Sequence, residues 1–320
     1  MSPTTPPNPF HFKITIYTDT VCPFSYLGHL SLSRAITTFS SSSPHPCVFS
    51  LTYHPYILYP TSLPSSGKLG EALSYIYSSR PSSSRPSPFS PTELTPLTGG
   101  IISHLTTLAK TYNITLNFSG LTGNSRDSHR LILLAQSRLS ASKMQGFMTT
   151  LYKSNFELGL DISNRETLAK LGVDAGIWTT QQQGMDWLRS DELGTEVDEL
   201  CERAKREVGV RAVPSYVVND RWVVGGMQTQ EVWEGLFTRI IATTAQEATG
   251  GETATATTAT TTATTTITTK KKMGSDIRNK KLEEKDGKGG EMVVGMKDGG
   301  NCRVVGDEGH TSRDHDCTIR

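Results

Sequence analysis

The sequence predicts an α/β fold: a βαβ unit and a ββα unit joined in one sheet, with a helical block inserted between them. Three observations predict it. Runs that alternate apolar and polar residues, rich in β-branched side chains, stand near both ends of the part able to fold. Helical periodicity fills the middle, from about residue 100 to 208. Near Ala242 the composition changes sharply, to "TTAQEATGGETATATTATTTATTTITTKKKMG" and then a Gly/Lys/Glu/Asp mixture. That stretch holds few large apolar residues and cannot offset the entropy of ordering. Residues 10–241 are therefore expected to form the domain, with an insertion at about 65–208, and 242–320 a disordered low-complexity tail.

The elements follow in order. "FKITIYTDT" reads as a strand ending near Asp19. "PFSYLGHLSLSRAITTF" places Phe24, Leu27, Leu30, Ile36 and Phe39 at roughly helical spacing, and Pro23 suits a first turn where its missing N–H costs nothing. "CVFSLTYHPY", residues 47–56, is a second strand, which makes a βαβ unit with parallel strands. "LYPTSLPSSG" and "SSRPSSSRPSPFSPTELTP" are Ser/Pro-rich loops, the second unusually long.

The inserted block then begins. Leu105, Leu108 and Ala109 share a helical face. "DSHRLILLAQSRL" follows Asn124 or Ser125 as N-cap, and "SKMQGFMTTLYKSNFELG" is a third helix. "SNRETLAKLGVDAG" suggests a capping box between Ser163 and Glu166, with Gly176 as the stop. A long helix is expected from about Asp191, with Leu193, Val197, Leu200, Ala204 and Val208 on one side. After Gly209 the signal returns to β: "PSYVVND" and "RWVVGG" split by an Asn219-Asp220 turn. The closing helix is "TQEVWEGLFTRII", with Val232, Leu236, Phe237 and Ile240 inward.

Composition limits the function classes. The 320 residues carry a net charge of +1, so no global field argues for nucleic acid or a membrane surface. No apolar run reaches the roughly 18 residues of a membrane span, and "MSPTTPPNPF" lacks the features of a secretory signal. Five scattered cysteines, Cys22, Cys47, Cys201, Cys302 and Cys317, lack metal-ligand spacing and suit free thiols in a reducing, cytoplasmic compartment.

The chemistry is expected at "TDTVCPFSYLG". Cys22 stands where the first strand hands over to the first helix, and a helix N-terminus offers free N–H groups and partial positive charge that stabilise a thiolate. Pro23 helps set the turn. Ser25, about one helical turn on, can donate to the same sulfur. A βαβ piece and a ββα piece on one sheet is the thioredoxin arrangement, and "AVPSYVV" opens its third strand. A cis-proline at Pro214 there would expose the Val213 backbone to a thiol or peptide. Phe24 flanks the same cleft. No metal cluster, phosphate loop or Ser/His/Asp spacing stands out.

The stretches "YTDTVCPFSYLG", "GLTGNSRDSHRLILLA", "FELGLDISNRETLAKLGVDAGI" and "GVRAVPSYVVNDRWVVGGMQ", in this order and spacing, resemble the DsbA-like thioredoxin family, in its FrnE-like branch. The resemblance covers nearly all of residues 13–241 and implies protein disulfide oxidoreductase activity. The family's typical motif is Cys-Pro-x-Cys, from which this chain departs at Ser25. The related glutathione transferase kappa and 2-hydroxychromene-2-carboxylate isomerase branch resembles "CPFSYLG" differently: it uses Ser-Pro-x-Ser, binds glutathione and performs no disulfide exchange.

Three readings follow. In the first, Cys22 and Ser25 are the catalytic pair of a single-cysteine thiol–disulfide oxidoreductase; Pro23, Phe24, Val213 and Pro214 bind a thiol or disulfide substrate, protein or glutathione. No cofactor is bound, and glutathione is a co-substrate that resolves the mixed disulfide. In the second, the pocket serves a kappa-type glutathione transferase or isomerase. In the third, it belongs to a redox-inactive binding module. Cys47, Cys201, Trp178, Trp187 and Trp233 read as packing residues, and Cys302 and Cys317 as bystanders in the tail. His129 and Arg130 beside Asp127 read as an exposed capped helix end or as a helix facing Cys22.

Overall fold

The computed structural model describes residues 8–58, 67–68, 96–248, 267–269, 293–297 and 301–305. Among the described residues its central sheet has five strands, in the order β2 (Cys47–Pro55), β1 (Phe10–Thr18), β5 (Ser215–Val218), β6 (Trp222–Gly225) and β7 (Ile267–Thr269). Strand β1 (Phe10–Thr18) pairs in parallel with β2 (Cys47–Pro55), and helix α1 (Pro23–Ser42) connects them. On its other side β1 pairs antiparallel with β5 (Ser215–Val218), which continues through a hairpin into β6 (Trp222–Gly225). Helix α8 (Gln230–Ala248) closes the unit and runs on past the expected limit at Ile241. The Asn219-Asp220 turn has positive φ at both residues, as a tight hairpin requires.

The alternation of β1 does its expected work. Phe12, Ile14 and Ile16 face the core, while His11 and Lys13 between them are exposed. Phe12 stacks on Phe49 of β2 at 4.7 Å and meets Phe237 of α8 at 5.0 Å. Leu236, Phe237 and Ile240 turn to this core as expected, and Trp233 rather than the partly buried Val232 completes the inner face of α8, each buried side chain contributing about 1.5–3 kcal/mol.

Helix α1 is buried more broadly than a single helical stripe. Leu27 and Phe39 are buried as expected, whereas Phe24, Leu30 and Ile36 are only partly so. Tyr26, Leu32 and Ala35 are buried as well. The reason is that α1 is clasped on two sides, by the sheet and by the inserted helices: Tyr26 stacks with Tyr152 and Phe156 of the insertion, at 5.5 and 5.8 Å.

Among the described residues the insertion holds six helices between β2 and β5: α2 (Pro96–Thr111), α3 (Arg126–Arg138), α4 (Ala141–Phe156), α5 (Arg165–Asp174), α6 (Gln181–Arg189) and α7 (Gly194–Arg206). Leu105 and Ala109 are buried on α2 as their spacing suggests. Strands β3 (Gly67–Lys68) and β4 (Leu121–Thr122) form a two-residue antiparallel ladder where only loop was expected. Most of the two Ser/Pro-rich stretches lies outside the described residues.

Two local expectations are corrected. The capping box is not at Ser163. Asn164 is the N-cap of α5 and accepts from the N–H groups of Glu166 and Thr167, while the Ser163 hydroxyl turns back to Asp161. The capping box stands one helix later, at Thr180 with Gln183. The long helix starts at Gly194 rather than Asp191: Leu193 adopts a left-handed conformation and Arg126 holds the Asp191 carboxylate outside the helix. Gly176, by contrast, stops α5 with φ +77° as its type suggests.

Of the expected tail, most lies outside the described residues. Three short strands are described in it: β7 (Ile267–Thr269), which pairs with β6, and the hairpin β8 (Val293–Lys297) with β9 (Asn301–Val305). Cys302 lies in β9, and Cys317 is outside the described residues. Among the described residues no helix is long and apolar enough to cross a membrane.

Candidate active site

Cys22 is the N-cap residue of α1, and Pro23 occupies the first helical position. The backbone turn before it is closed by Cys22 N–H donating to the Asp19 carbonyl at 3.1 Å. The Cys22 carbonyl then starts the helix by accepting from the Ser25 and Tyr26 N–H groups. Opposite lies the loop before β5, where the Val213–Pro214 peptide bond is cis. The Cys22 thiol donates to the Val213 carbonyl across 3.5 Å. The fold thus brings together Cys22, Pro23, Ser25, Val213 and Pro214, residues nearly two hundred positions apart. Phe24 is partly buried at the edge of the same apolar pocket.

The pocket is closed over the sulfur. Cys22 is 1% exposed and packs with Tyr17, Ala204, Val210 and Val213, with Tyr56, Leu58 and Val208 at the margin. These come from β1, the end of α7, the chain after it, and the exit of β2. Burial pushes the Cys22 thiol up to about 11, against the Ser25 side chain and the helix-start N–H groups, which favour the thiolate; the nearby Asp19 raises it further. The expected thiolate is therefore corrected. The helix terminus acts in the expected direction, but desolvation in an apolar pocket is the larger effect, and the resting sulfur is a protonated donor.

Among the described residues the Ser25 hydroxyl, buried beside the sulfur, has no hydrogen-bond partner while the thiol points at Val213. It becomes a donor to the sulfur once the sulfur is charged, which is how it favours the thiolate.

The turn that carries Cys22 is held from the insertion, residue by residue. Tyr152 of α4 bonds the Thr18 hydroxyl at 2.5 Å, and Asn155 of α4 donates to the Thr20 carbonyl at 3.1 Å. Ser128 of α3 bonds the Thr20 hydroxyl at 2.7 Å, and His129 of α3 approaches the Asp19 carboxylate at 3.3 Å. Asp19 also accepts from the Leu58 N–H at 2.7 Å, tying the exit of β2 to the same turn. His129 and Arg130 are not an exposed helix end: both are buried. Arg130 turns away from Cys22 and donates to Asp127 and to the carbonyls of Leu188, Ser190 and Glu192. Residue patterns missed Asp19, Tyr152 and Asn155. Asp19 alone left a signal, a carboxylate at a strand end just before the cysteine.

The other thiols sit elsewhere. Cys201 is packed on α7 as expected, and burial raises its pKa to about 11. Cys47 is only partly buried at the start of β2, not a full core residue. Trp178 and Trp233 are buried, and Trp187 packs partly buried against the core. Among the described residues no group of His, Cys, Asp or Glu could hold a metal ion.

Known structures share this layout. A Streptomyces coelicolor protein assigned as a DsbA oxidoreductase superposes with a TM-score of 0.55 at 19% identity, over 78% of this chain and 94% of that one. A Nitrosomonas europaea protein assigned as a protein disulfide isomerase gives 0.50 at 16% identity, over 73% of this chain and 98% of that one. A 2-hydroxychromene-2-carboxylate isomerase gives 0.49 at 17% identity, over 75% and 100%. At these identities the likeness concerns the fold. No curated protein matches the sequence significantly. The family model described as DSBA-like thioredoxin domain matches residues 13–237, from the first strand to the last helix of the domain, and the chain belongs to that family.

Proposed function

We propose that the protein is a single-cysteine thiol–disulfide oxidoreductase. The observation that supports this reading most is the placement of the Cys22 sulfur at a helix start, 3.5 Å from the carbonyl before Pro214. In the reaction the Cys22 thiol loses its proton to solvent and the thiolate attacks one sulfur of a disulfide. A Cys22–sulfur bond forms, the disulfide breaks, and the other half leaves as a thiolate. Ser25 has no sulfur with which to resolve this intermediate. An external thiol such as glutathione therefore attacks the mixed disulfide, and Cys22 leaves as the thiolate and is reprotonated. This chemistry fits a reducing compartment such as the cytoplasm.

The pH dependence follows from the buried thiol. Below its pKa of about 11 the thiolate fraction of Cys22 rises about tenfold per pH unit. Incubation with oxidised glutathione followed by intact-mass analysis is expected to show one glutathione adduct, mapped to Cys22. The adduct forms faster at pH 9 than at pH 7 and is lost in Cys22→Ser. An adduct confined to Cys47, or none at either pH, would sink the reading.

The raised pKa favours a second reading, in which the protonated Cys22 and the Ser25 hydroxyl hold the thiolate of bound glutathione without exchanging with it. Reversible glutathione binding with no adduct, together with conjugation of an electrophile, would select that kappa-type transferase or isomerase. Neither adduct nor binding would leave a redox-inactive binding module.

A further inference from the structure

Tyr216 stands on β5, two residues past Pro214, and is 1% exposed. Its ring packs edge-on against Trp233 at 4.7 Å, so packing sets its position. Its hydroxyl is buried with no hydrogen-bond partner among the described residues. That hydroxyl comes down on α1 at Gly28. A Cβ on Gly28 would meet the Tyr216 oxygen at 2.4 Å, but the ring carbon beneath it only at 3.7 Å, an ordinary contact. Of these two atoms it is the oxygen, not the ring, that calls for a glycine.

Both features cost stability: a glycine inside a helix and a buried hydroxyl without a partner. Phe at position 216 with Ala at position 28 would remove both, if the Pro214 ring, 3.1 Å from the added carbon, gave by a few tenths of an ångström. Packing alone therefore does not account for the hydroxyl.

Ser25, one position before Gly28 on the same ridge of α1, carries a second buried hydroxyl without a hydrogen-bond partner among the described residues. Cys22, Ser25 and Gly28 follow each other at intervals of three along one ridge of α1, where neighbours lie about 5–6 Å apart. The same ridge meets Val213 at one end and Pro214 at the other. Burial, more than the neighbouring Tyr53 and Cys22, raises the Tyr216 pKa and keeps the phenol a donor.

We propose that Tyr216 is a positioning residue for the charged sulfur: when Cys22 ionises, Ser25 turns its O–H to the sulfur, and the Tyr216 O–H donates to the lone pair this leaves on the Ser25 oxygen. No proton is transferred. A donor behind a donor strengthens the hydrogen bond in front of it, most of all in a buried site. The inference rests on the exchange reading only for the event that charges the sulfur.

The test uses the full chain and five proteins: wild type, Ser25→Ala, Tyr216→Phe, the double variant of these two, and Tyr216→Phe with Gly28→Ala. Iodoacetamide modification of Cys22 is followed by peptide mapping from pH 7 to pH 11, with thermal melting in parallel. Ser25→Ala is expected to shift the profile up by about one unit, and Tyr216→Phe by part of that, about threefold slower at fixed pH. In the Ser25→Ala background Tyr216→Phe is expected to add nothing, which a structural role would not produce. Tyr216→Phe, alone or with Gly28→Ala, should melt at or above the wild-type temperature. Wild-type reactivity in Tyr216→Phe, equal slowing in both backgrounds, a lower melting temperature, or a wild-type Cys22 unmodified at pH 11 would each overturn the proposal. Loss of the oxidised-glutathione adduct with this alkylation pattern intact would instead remove the exchange reading and leave the Tyr216 assignment standing.

Discussion

Ser25 is the residue at which the site departs from a two-sulfur design. It stands at the third position of α1 with its hydroxyl beside the Cys22 sulfur, so Ser25→Cys would place two sulfurs one helical turn apart at a helix start. Mild oxidation of this variant is expected to form an intramolecular bridge, seen as the loss of a pair of hydrogens by intact mass. Turnover on a disulfide substrate without glutathione should then rise by about tenfold or more, because the resolving thiol is tethered. A bridge without turnover would favour the glutathione-holding reading. No bridge at all would mean that the two side chains do not face each other. Cys22, Pro23 and Ser25 were legible from the motif, since a cysteine before a proline at a strand-to-helix junction has few packing explanations. The state of the sulfur was not. It depends on Tyr17, Ala204 and Val210, which no local pattern links to Cys22.

At the scale of elements, the junction between α6 and α7 depends on one buried guanidinium. Arg130 Nε donates to the Glu192 carbonyl at 2.8 Å, Nη2 to that of Ser190 at 2.8 Å, and Nη1 to Asp127 at 2.7 Å; the group also lies 4.6 Å over the Trp187 ring. Arg130→Ala leaves these carbonyls without their donor and, among the described residues, leaves Asp127 with Arg165 alone, at 2.8 Å. Stability is expected to fall by about 3–5 kcal/mol in urea denaturation, with a change in tryptophan fluorescence. Lysine should rescue little, because a single ammonium cannot reproduce the planar fork. A loss below about 1 kcal/mol would show that the junction is held by packing alone. Sequence placed Arg130 on a helix, at an exposed capped end or facing Cys22, and the buried guanidinium does neither. A charged residue near a helix start is normally solvated, and only the return of the 187–192 chain over α3 buries it.

At the scale of the molecule, the core side chains among the described residues end within α8. Trp233, Leu236, Phe237 and Ile240 complete the core, and α8 ends at Ala248. Residues 249–320 are dominated by Thr, Gly, Lys and other polar residues, and the three-residue β7 is their pairing with the central sheet among the described residues. Truncation after Ala248 is expected to move the melting temperature by no more than about 2 °C and to leave Cys22 alkylation unchanged. A fall of more than about 5 °C would place part of the folded unit beyond α8.

By itself the sequence determined the order of the main elements and placed Cys22 at the junction of β1 and α1. Alternation in β1, the Asn219-Asp220 turn, the inward face of α8 and the Cys-Pro junction are local signals, carried by backbone preference and side-chain period within a few residues. The tertiary structure decided what those signals could not contain. It closed α7 and the exit of β2 over Cys22, so that desolvation outweighs the helix terminus and the sulfur rests protonated. It brought α3 and α4 against the turn at Thr18–Thr20, and seated the Tyr216 hydroxyl on Gly28. Burial and long-range hydrogen bonds are properties of which surfaces meet. They appear only when segments far apart in the chain pack together.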